Sequence, residues 1–269
     1  MHIAHIFISI IPWALFTSLT TLSPQIKEIL FDCDNTLVLS ESLAFEACAE
    51  LANEILEAQG ISDRFTGPQL FSTFVGQNFR GMMLGLQKMY NFELPENKLD
   101  EYVDRELGAV IKKLNEAAQP CEGVIVELEK LQKSGKYGLA VVSSSALPRV
   151  VASIKKTKMD HYFPSDHIFS AATSLEKPTS KPDPAIYLHA CKVIGVQPGE
   201  CVAVEDSKSG ATAAKNAKIP LIGYVAPYLE EGKEKQESVA KMLKEECGAI
   251  VIMYHWSEFE ECLRKVEAS

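Results

Sequence analysis

Short apolar runs and amphipathic stretches alternate along the first half of the chain. Residues 26–31 form an apolar run that predicts a buried strand ending at an acidic turn. Residues 41–59 have helical apolar spacing and are followed by Gly60, which predicts a helix that ends there. Two more amphipathic stretches, 79–90 and 99–114, predict helices in a helical block that extends to about residue 118.

After residue 120, predicted helices and strands alternate. The pattern predicts helices over residues 124–133, 148–156, 184–194 and 210–217, and strands over residues 137–142, 168–171, 201–204, 221–225 and 249–252. Such alternation is typical of a parallel sheet with helices on both faces, and the strand at 26–31 is expected to join the same sheet. The predicted fold class is therefore α/β, with the helical block inserted after the first strand.

The same pattern divides the chain into three parts. Residues 26–41 and 119–269 are predicted to form an α/β core, and residues 42–118 an inserted helical domain. Residues 1–25 form an apolar extension without Lys, Arg, Asp or Glu, and Pro12 interrupts it. This extension lacks the positive start of a secretory signal and is near the lower length limit of a membrane span. Three interpretations therefore stay open: a signal or anchor segment, a packed N-terminal extension, or a misassigned start codon.

Polar side chains follow several of the predicted strands. In open α/β sheets, ligands bind beyond the carboxyl ends of the strands, so the loops after residues 31, 142 and 204 are expected to converge. Asp32 and Asp34 are two residues apart in extended chain and can face one site. The other polar residues expected there are Ser143, Ser144, Ser145, Lys181, Glu205 and Asp206.

Each of these residue types has a chemical use. A carboxylate can act as a nucleophile and form an acyl-phosphate, and a second carboxylate can protonate a leaving oxygen and later activate water. Clustered carboxylates repel one another unless a hard cation such as Mg²⁺ joins them. The metal and a lysine would neutralise charge on a transferring phosphoryl group, and serine hydroxyls would hold its oxygens.

Four segments resemble, in order, the motifs of the haloacid dehalogenase superfamily. DCDNTL over residues 32–37 resembles the first motif, DxDx[TV], and Ser143 after an apolar run resembles the second. Lys181 in SKPDP resembles the third motif, and VEDSKSG over residues 204–210 the fourth. The resemblance covers about residues 26–252 and implies a Rossmann-like core. The helical insertion is similar to the cap of the first subclass, a branch that includes β-phosphoglucomutase and many sugar-phosphate phosphatases.

The resemblance also implies roles for the matching residues. Asp32 would be the nucleophile and Asp34 the general acid/base. Ser143 and Lys181 would serve catalysis by binding the phosphoryl group, and Ser144 is expected beside them as a substrate-binding residue.

The ligands of Mg²⁺ follow from the same resemblance. They would be Asp32, the backbone carbonyl of Asp34, and Asp206, with Glu205 as a possible further ligand. The expected cofactor is therefore Mg²⁺.

The sequence departs from the family pattern at three positions and offers one alternative. Leu39 stands where an Asp is frequent, and Asn35 stands where Gly is usual. Ala44 stands where a mutase of the β-phosphoglucomutase kind would carry a histidine of its cap, which favours a phosphatase over a mutase. Lys177 is an alternative to Lys181, which is preferred because KPDP followed by a helix matches the family more closely.

Together these features predict a phosphomonoester hydrolase that acts through an aspartyl-phosphate on a small phosphorylated metabolite. A sugar, polyol or sugar-acid phosphate suits a modest pocket under a helical cap, where Arg80 is predicted to contact the substrate. A phosphomutase, an isoprenoid diphosphate-processing enzyme and a non-catalytic binding protein on the same fold stay open as alternatives.

Composition narrows the choice of partners. The net charge of -9 and the pI of about 5.3 argue against nucleic acid or stable membrane association. The seven cysteines are scattered without a CxxC pair, which argues against zinc and for reduced thiols in a cytoplasmic protein. The apolar extension leaves secretory or membrane targeting open. We expect a monomer or a dimer.

Overall fold

The computed structural model describes residues 25–74 and 77–269. The predicted N-terminal apolar extension therefore lies outside the described residues, except for Gln25. Among the described residues, no helix is long and apolar enough to cross a membrane.

A parallel sheet forms the centre of the described structure. Its strands are β1 (Glu28–Phe31), β4 (Gly138–Ser143), β5 (Ile168–Ser170), β6 (Cys201–Glu205), β7 (Leu221–Tyr224) and β8 (Val251–Met253), in the order β5-β4-β1-β6-β7-β8. Every neighbouring pair is parallel. The predicted α/β fold is thus confirmed, and β1 lies between β4 and β6, so the carboxyl ends of these three strands meet.

Helices follow the strands and cover both faces of the sheet. They are α1 (Glu41–Ala58), α2 (Gly67–Thr73), α3 (Phe79–Tyr90), α4 (Glu96–Ala117), α5 (Val124–Ser134), α6 (Leu147–Lys156), α7 (Ala185–Ile194), α8 (Lys208–Asn216), α9 (Lys233–Glu245) and α10 (Phe259–Glu267). In β1, Ile29 and Phe31 pack in one apolar cluster with α5, α6 and α10, and Leu30 packs in another with α7, α8 and α9. This alternation is what a strand covered on both faces requires.

The inserted helices have an apolar cluster of their own. Leu51 and Ile55 of α1 pack there with Leu70 of α2, Met83 of α3 and Leu99 of α4. A short antiparallel pair, β2 (Val38–Leu39) with β3 (Gln119–Pro120), joins the chain where it leaves the core and where it returns.

Three helices, α2, α9 and α10, were not predicted from the sequence. Helix α2 has seven residues and begins at a capping box formed by Thr66 and Gln69. Helix α9 is rich in Lys and Glu, and its apolar face is limited to a few positions such as Val239 and Leu243. Tertiary packing, more than helical propensity, stabilises helices of this kind.

Candidate active site

The turn after β1 carries the first two predicted site residues. The Asp32 N–H donates to the Val204 carbonyl (3.0 Å) and extends the pairing of β1 with β6. Asn35 then takes φ 55°, and its N–H donates to the Val38 carbonyl (2.8 Å). Asn adopts this left-handed conformation more readily than most residues. Asn35 can therefore stand where Gly is usual and still turn the chain so that Asp34 reaches the same cavity as Asp32.

Lys181 is the cation at the centre of the site. Its side chain is 3% exposed, and Nζ donates to Asp32 Oδ1 (2.6 Å), Glu205 Oε1 (2.6 Å) and the Val142 carbonyl (2.7 Å). Burial alone would lower the pKa of Lys181, but the two carboxylates outweigh it and raise the pKa above its usual range. The ammonium therefore stays charged. Lys177, the alternative, is exposed.

Asp32, Glu205 and Asp206 form a buried acidic cluster. One carboxylate oxygen from each lies within 4.8 Å of the others. Burial raises the pKa of Asp32 to about 8, with Lys181 opposing this effect. Burial and the charge of Asp32 raise the pKa of Asp206 well above its usual range. Glu205 Oε2 is buried and has no hydrogen-bond partner among the described residues. A hard divalent cation would relieve this repulsion and use these oxygens, so the cluster fits a metal.

Two tyrosines and a threonine hold the acidic cluster in place. The Tyr187 hydroxyl of α7 donates to Glu205 Oε1, and both side chains are fully buried. The Tyr228 hydroxyl, from the segment after β7, donates to Asp206 Oδ2 (3.1 Å). Thr36 Oγ1 donates to the other oxygen of Asp206 (3.4 Å). Thr36 belongs to the first motif, but sequence patterns do not single out the two tyrosines, because each comes from a different part of the chain.

Asp34 has a different set of partners. Ser145 Oγ donates to Asp34 Oδ2 (2.7 Å), and an Arg149 guanidinium nitrogen donates to Oδ1 (3.0 Å). The Ser40 hydroxyl also donates to Oδ1. Burial alone would raise the pKa of Asp34, but Arg149 and the serine hydroxyls outweigh it and lower the pKa. Asp34 is therefore ionised in this arrangement.

The predicted phosphate-binding serines lie at the end of β4. Ser143 is the last residue of the strand, and its Oγ accepts from the Ser145 N–H (3.0 Å). Ser144 Oγ accepts from the Lys181 N–H (3.1 Å), which connects this loop to the segment that carries the central cation. Both serines line the same cavity as Asp32.

This cavity has a volume of about 190 Å³ and opens at the carboxyl edge of the sheet. Its described lining residues are Asp32, Asp34, Asn35, Glu41, Ser143, Ser144, Lys181, Asp206, Ser207, Ser209 and Tyr228. Of the predicted site residues, Glu205 lies behind this wall, where Lys181 contacts it. The cavity thus contains a lysine-bound carboxylate, a second carboxylate and several hydroxyls. Groups of these kinds can perform a nucleophilic attack and the proton transfer that accompanies it.

Arg80 lies elsewhere in the described structure. It is on α3, is partly exposed, and forms an ion pair with Asp100 of α4. Arg80 is absent from the described residues that line the cavity. Its contact with substrate stays a prediction.

Arg149, Ser40 and Glu41 are site residues that sequence analysis did not find. Ser40 and Glu41 come shortly after the first motif, so their closeness to it in the sequence could have indicated a place in the site. Arg149 is on α6 and reaches the site only because that helix follows β4. A lone arginine in an amphipathic helix gives no such indication.

Comparison with known proteins agrees with the family resemblance of the four motifs. The sequence model of the haloacid dehalogenase-like hydrolases matches residues 26–218. The 6-phosphogluconate phosphatase of Escherichia coli (strain K12) is 28% identical over 209 residues, which cover 75% of this chain and 84% of that protein. The phosphorylated carbohydrates phosphatase of Thermotoga maritima is 26% identical over 220 residues, which cover 81% of this chain and 93% of that protein.

Solved structures share the fold. A HAD family hydrolase from Deinococcus radiodurans R1, with bound phosphate and sodium, has a TM-score of 0.67 at 24% identity and covers 91% of this chain and 97% of its own. CbbY from Rhodobacter sphaeroides, in complex with phosphate, has a TM-score of 0.66 at 22% identity and covers 87% of this chain and 96% of its own. At these identities, the likeness supports the fold alone.

Proposed function

Because the chain belongs to the haloacid dehalogenase-like hydrolases, we propose that it is a Mg²⁺-dependent phosphatase acting on a sugar, polyol or sugar-acid phosphate through an aspartyl-phosphate on Asp32. The contact of Lys181 with Asp32 and Glu205, in a cavity shared with Asp34 and Asp206, carries this proposal. The names of the two curated relatives, both phosphatases of carbohydrate phosphates, support the substrate class.

Mg²⁺ would be held by Asp32, Asp206, the backbone carbonyl of Asp34 and Glu205. Glu205 would use Oε2, since Lys181 and Tyr187 already contact its other oxygen. When bound, the ion would neutralise charge on the phosphoryl oxygens and favour the ionised form of the carboxylates around it.

In the first step, a carboxylate oxygen of Asp32 attacks the phosphorus atom, and the bond from phosphorus to the leaving oxygen breaks. Asp34 donates a proton to that oxygen, so that a neutral alcohol leaves. Lys181 and the hydroxyls of Ser143 and Ser144 hold the phosphoryl oxygens. A phosphate dianion bound beside Asp34 raises its proton affinity, which offsets the effect of Arg149.

In the second step, water attacks the phosphorus atom of the aspartyl-phosphate. Asp34 is now a carboxylate, the form that Arg149 favours, and it takes the proton from this water. The bond between phosphorus and Asp32 breaks, inorganic phosphate leaves, and Asp32 is restored.

The inserted helices would serve as a cap over this site. In this proposal, residues 42–118 form the cap, and residues 26–41 and 119–269 form the catalytic core. The separate apolar cluster of α1 to α4 supports the division, as does the β2–β3 pair at its base.

Phosphate release tests the proposal. The purified chain is assayed on a panel of sugar, polyol, sugar-acid, nucleotide and prenyl phosphates, with Mg²⁺ and with EDTA. We expect release that needs Mg²⁺ and disappears in Asp32→Asn. Asp104→Asn is the matched control, because Asp104 is exposed on α4. Absence of release from every compound by folded wild-type protein with Mg²⁺ would refute the proposed function.

A further inference from the structure

The cavity has more negative charge than catalysis requires. Its described lining includes four carboxylates, from Asp32, Asp34, Glu41 and Asp206, and one cation, Lys181. That cation is already engaged by Asp32 and by Glu205 behind the wall. The Arg149 guanidinium nearby is bound to Asp34.

Glu41 is the carboxylate without a role in the proposed reaction. It is the first residue of α1, where the chain passes from the core into the inserted helices. Its Oε2 accepts from the Asn35 amide (2.7 Å), and Asn35 also lines the cavity. Burial raises the pKa of Glu41, and Asp34 and Glu231 raise it further, whereas Arg149 and the Asn35 amide lower it. Glu41 therefore lies close to two carboxylates and to a guanidinium that Asp34 already binds.

We infer that Glu41 selects the charge of the leaving group, so that the enzyme acts on phosphomonoesters of uncharged polyols and sugars and rejects those that carry a carboxylate or a second phosphate. This inference rests on the proposed function and narrows its substrate class.

Two physical effects support the selection. A second anionic group near Glu41 would meet like charges in a partly buried site, where screening by water is weak, and among the described residues that line the cavity no cation is free to receive it. Hydroxyl groups would instead donate to the carboxylate, since Asn35 occupies only one of its oxygens. The hydroxyls of Ser207 and Ser209, which also line the cavity, suit a polyol as well.

A matched substrate pair tests this selection. Glucitol 6-phosphate and 6-phosphogluconate differ only at one terminal carbon, which is a CH₂OH group in the first and a carboxylate in the second. With Mg²⁺ at about pH 8, we expect kcat/KM for the glucitol ester to be at least about tenfold higher. In Glu41→Gln the ratio should fall to within about threefold of one, mainly because kcat/KM for 6-phosphogluconate rises.

Two controls distinguish charge repulsion by Glu41 from a steric effect of its side chain. Glu46→Gln, at an exposed position of the same helix, should keep the wild-type ratio. Raising KCl to about 0.5 M should narrow the wild-type ratio in part, because salt screens like-charge repulsion, although less in a partly buried site than at the surface, and does not change a steric fit.

Equal kcat/KM for the two substrates in wild type, a preference for 6-phosphogluconate, or an unchanged ratio in Glu41→Gln would each overturn the inference. If this pair is not hydrolysed, the same ratio is measured on glycerol 3-phosphate and 3-phosphoglycerate, with the same expectations. Loss of all phosphate release, in contrast, would refute the proposed function itself, so the two failures are distinguishable.

Discussion

Strand β1 has a buried carboxylate at each end. Asp32 follows its carboxyl end, and Glu28 is its first residue. Burial is the largest cause of a raised pKa for both, to about 8 for Asp32 and about 7 for Glu28. Their surroundings differ, because Lys181 contacts Asp32 at 2.6 Å, whereas the nearest ion-pairing atom to Glu28 in the described part of the chain is His167 Nδ1 at 3.8 Å. A perturbed carboxylate is thus not by itself a site; the cation, the cavity and neighbouring carboxylates distinguish one.

Glycine makes room for a buried carboxylate near each end of the strand. A Cβ atom at Gly210 would lie 1.8 Å from Glu205 Oε2, and one at Gly138 would lie 1.9 Å from Glu28 Oε2. Glycine allows similarly close packing at the amino and the carboxyl ends of the strands. Close packing therefore does not explain why we propose chemistry at the carboxyl end alone.

Removing the central cation should have the largest effect. Lys181→Met leaves Asp32 and Glu205 buried without their shared partner, so we expect kcat to fall by at least about 10³-fold and the free energy of unfolding to fall by about 3–5 kcal/mol. Phosphate release and urea unfolding measure the two effects. Lys177→Met, at the exposed lysine four residues earlier, should change neither. Near-wild-type turnover in Lys181→Met would remove the basis for assigning the phosphoryl group to this end of β1.

Substitution of Arg149 tests the role proposed for Asp34. In Arg149→Met the proton affinity of Asp34 rises, but Asp34 loses the guanidinium that fixes its orientation, so proton transfer to the leaving oxygen should suffer. We expect kcat/KM to fall by about 10²-fold for alkyl phosphates, whose leaving oxygen needs a proton, and by less than about tenfold for p-nitrophenyl phosphate, which does not. Arg264→Met, an exposed position on α10, is the matched control. Equal losses on both substrates would contradict a role through Asp34.

Tyr228 should have a smaller effect, through the proposed metal site. Tyr228→Phe removes the hydrogen bond to Asp206 Oδ2 and keeps the ring. Since groups that orient metal ligands tune metal affinity, we expect the Mg²⁺ concentration for half-maximal activity to rise about tenfold, with kcat at saturating Mg²⁺ little changed. Tyr254→Phe, at a partly exposed tyrosine after β8, should leave the Mg²⁺ dependence unaltered. An unchanged Mg²⁺ dependence in Tyr228→Phe would argue against Asp206 as a ligand.

The end of β1 at which we propose the chemistry could be predicted because its candidate residues lie in short motifs at strand ends. Period and composition predicted the strands that carry Asp32, Ser143 and Asp206, and a parallel sheet brings the carboxyl ends of its strands together. Arg149 and Tyr228 could not be predicted in the same way, because only three-dimensional packing brings them to the site. Glu28 is the opposite case: the sequence shows an apolar run with one carboxylate, and only the fold reveals that this carboxylate is fully covered.

Glu28 gives the smallest expected effect on activity and the clearest test of burial without function. Its folded pKa lies above the ordinary value of 4.5, so the folded state holds the proton more tightly than the unfolded state does. The contribution of Glu28 to stability should therefore fall as pH rises from about 4.5 to about 7 and change little above that. Glu28→Gln cannot ionise, so at about pH 8 it should be more stable than wild type by about 1–3 kcal/mol.

The measurement is urea unfolding of both proteins at about pH 5 and pH 8, with phosphate release measured in parallel. Phosphate release should be unchanged, because Glu28 lies at the amino edge of the sheet, opposite the cavity. Glu260→Gln, at an exposed position on α10, should follow the wild-type pH dependence. If Glu28→Gln instead lost activity while staying folded, the amino end of β1 would also contribute to function, and the contrast between the two ends of the strand would no longer hold.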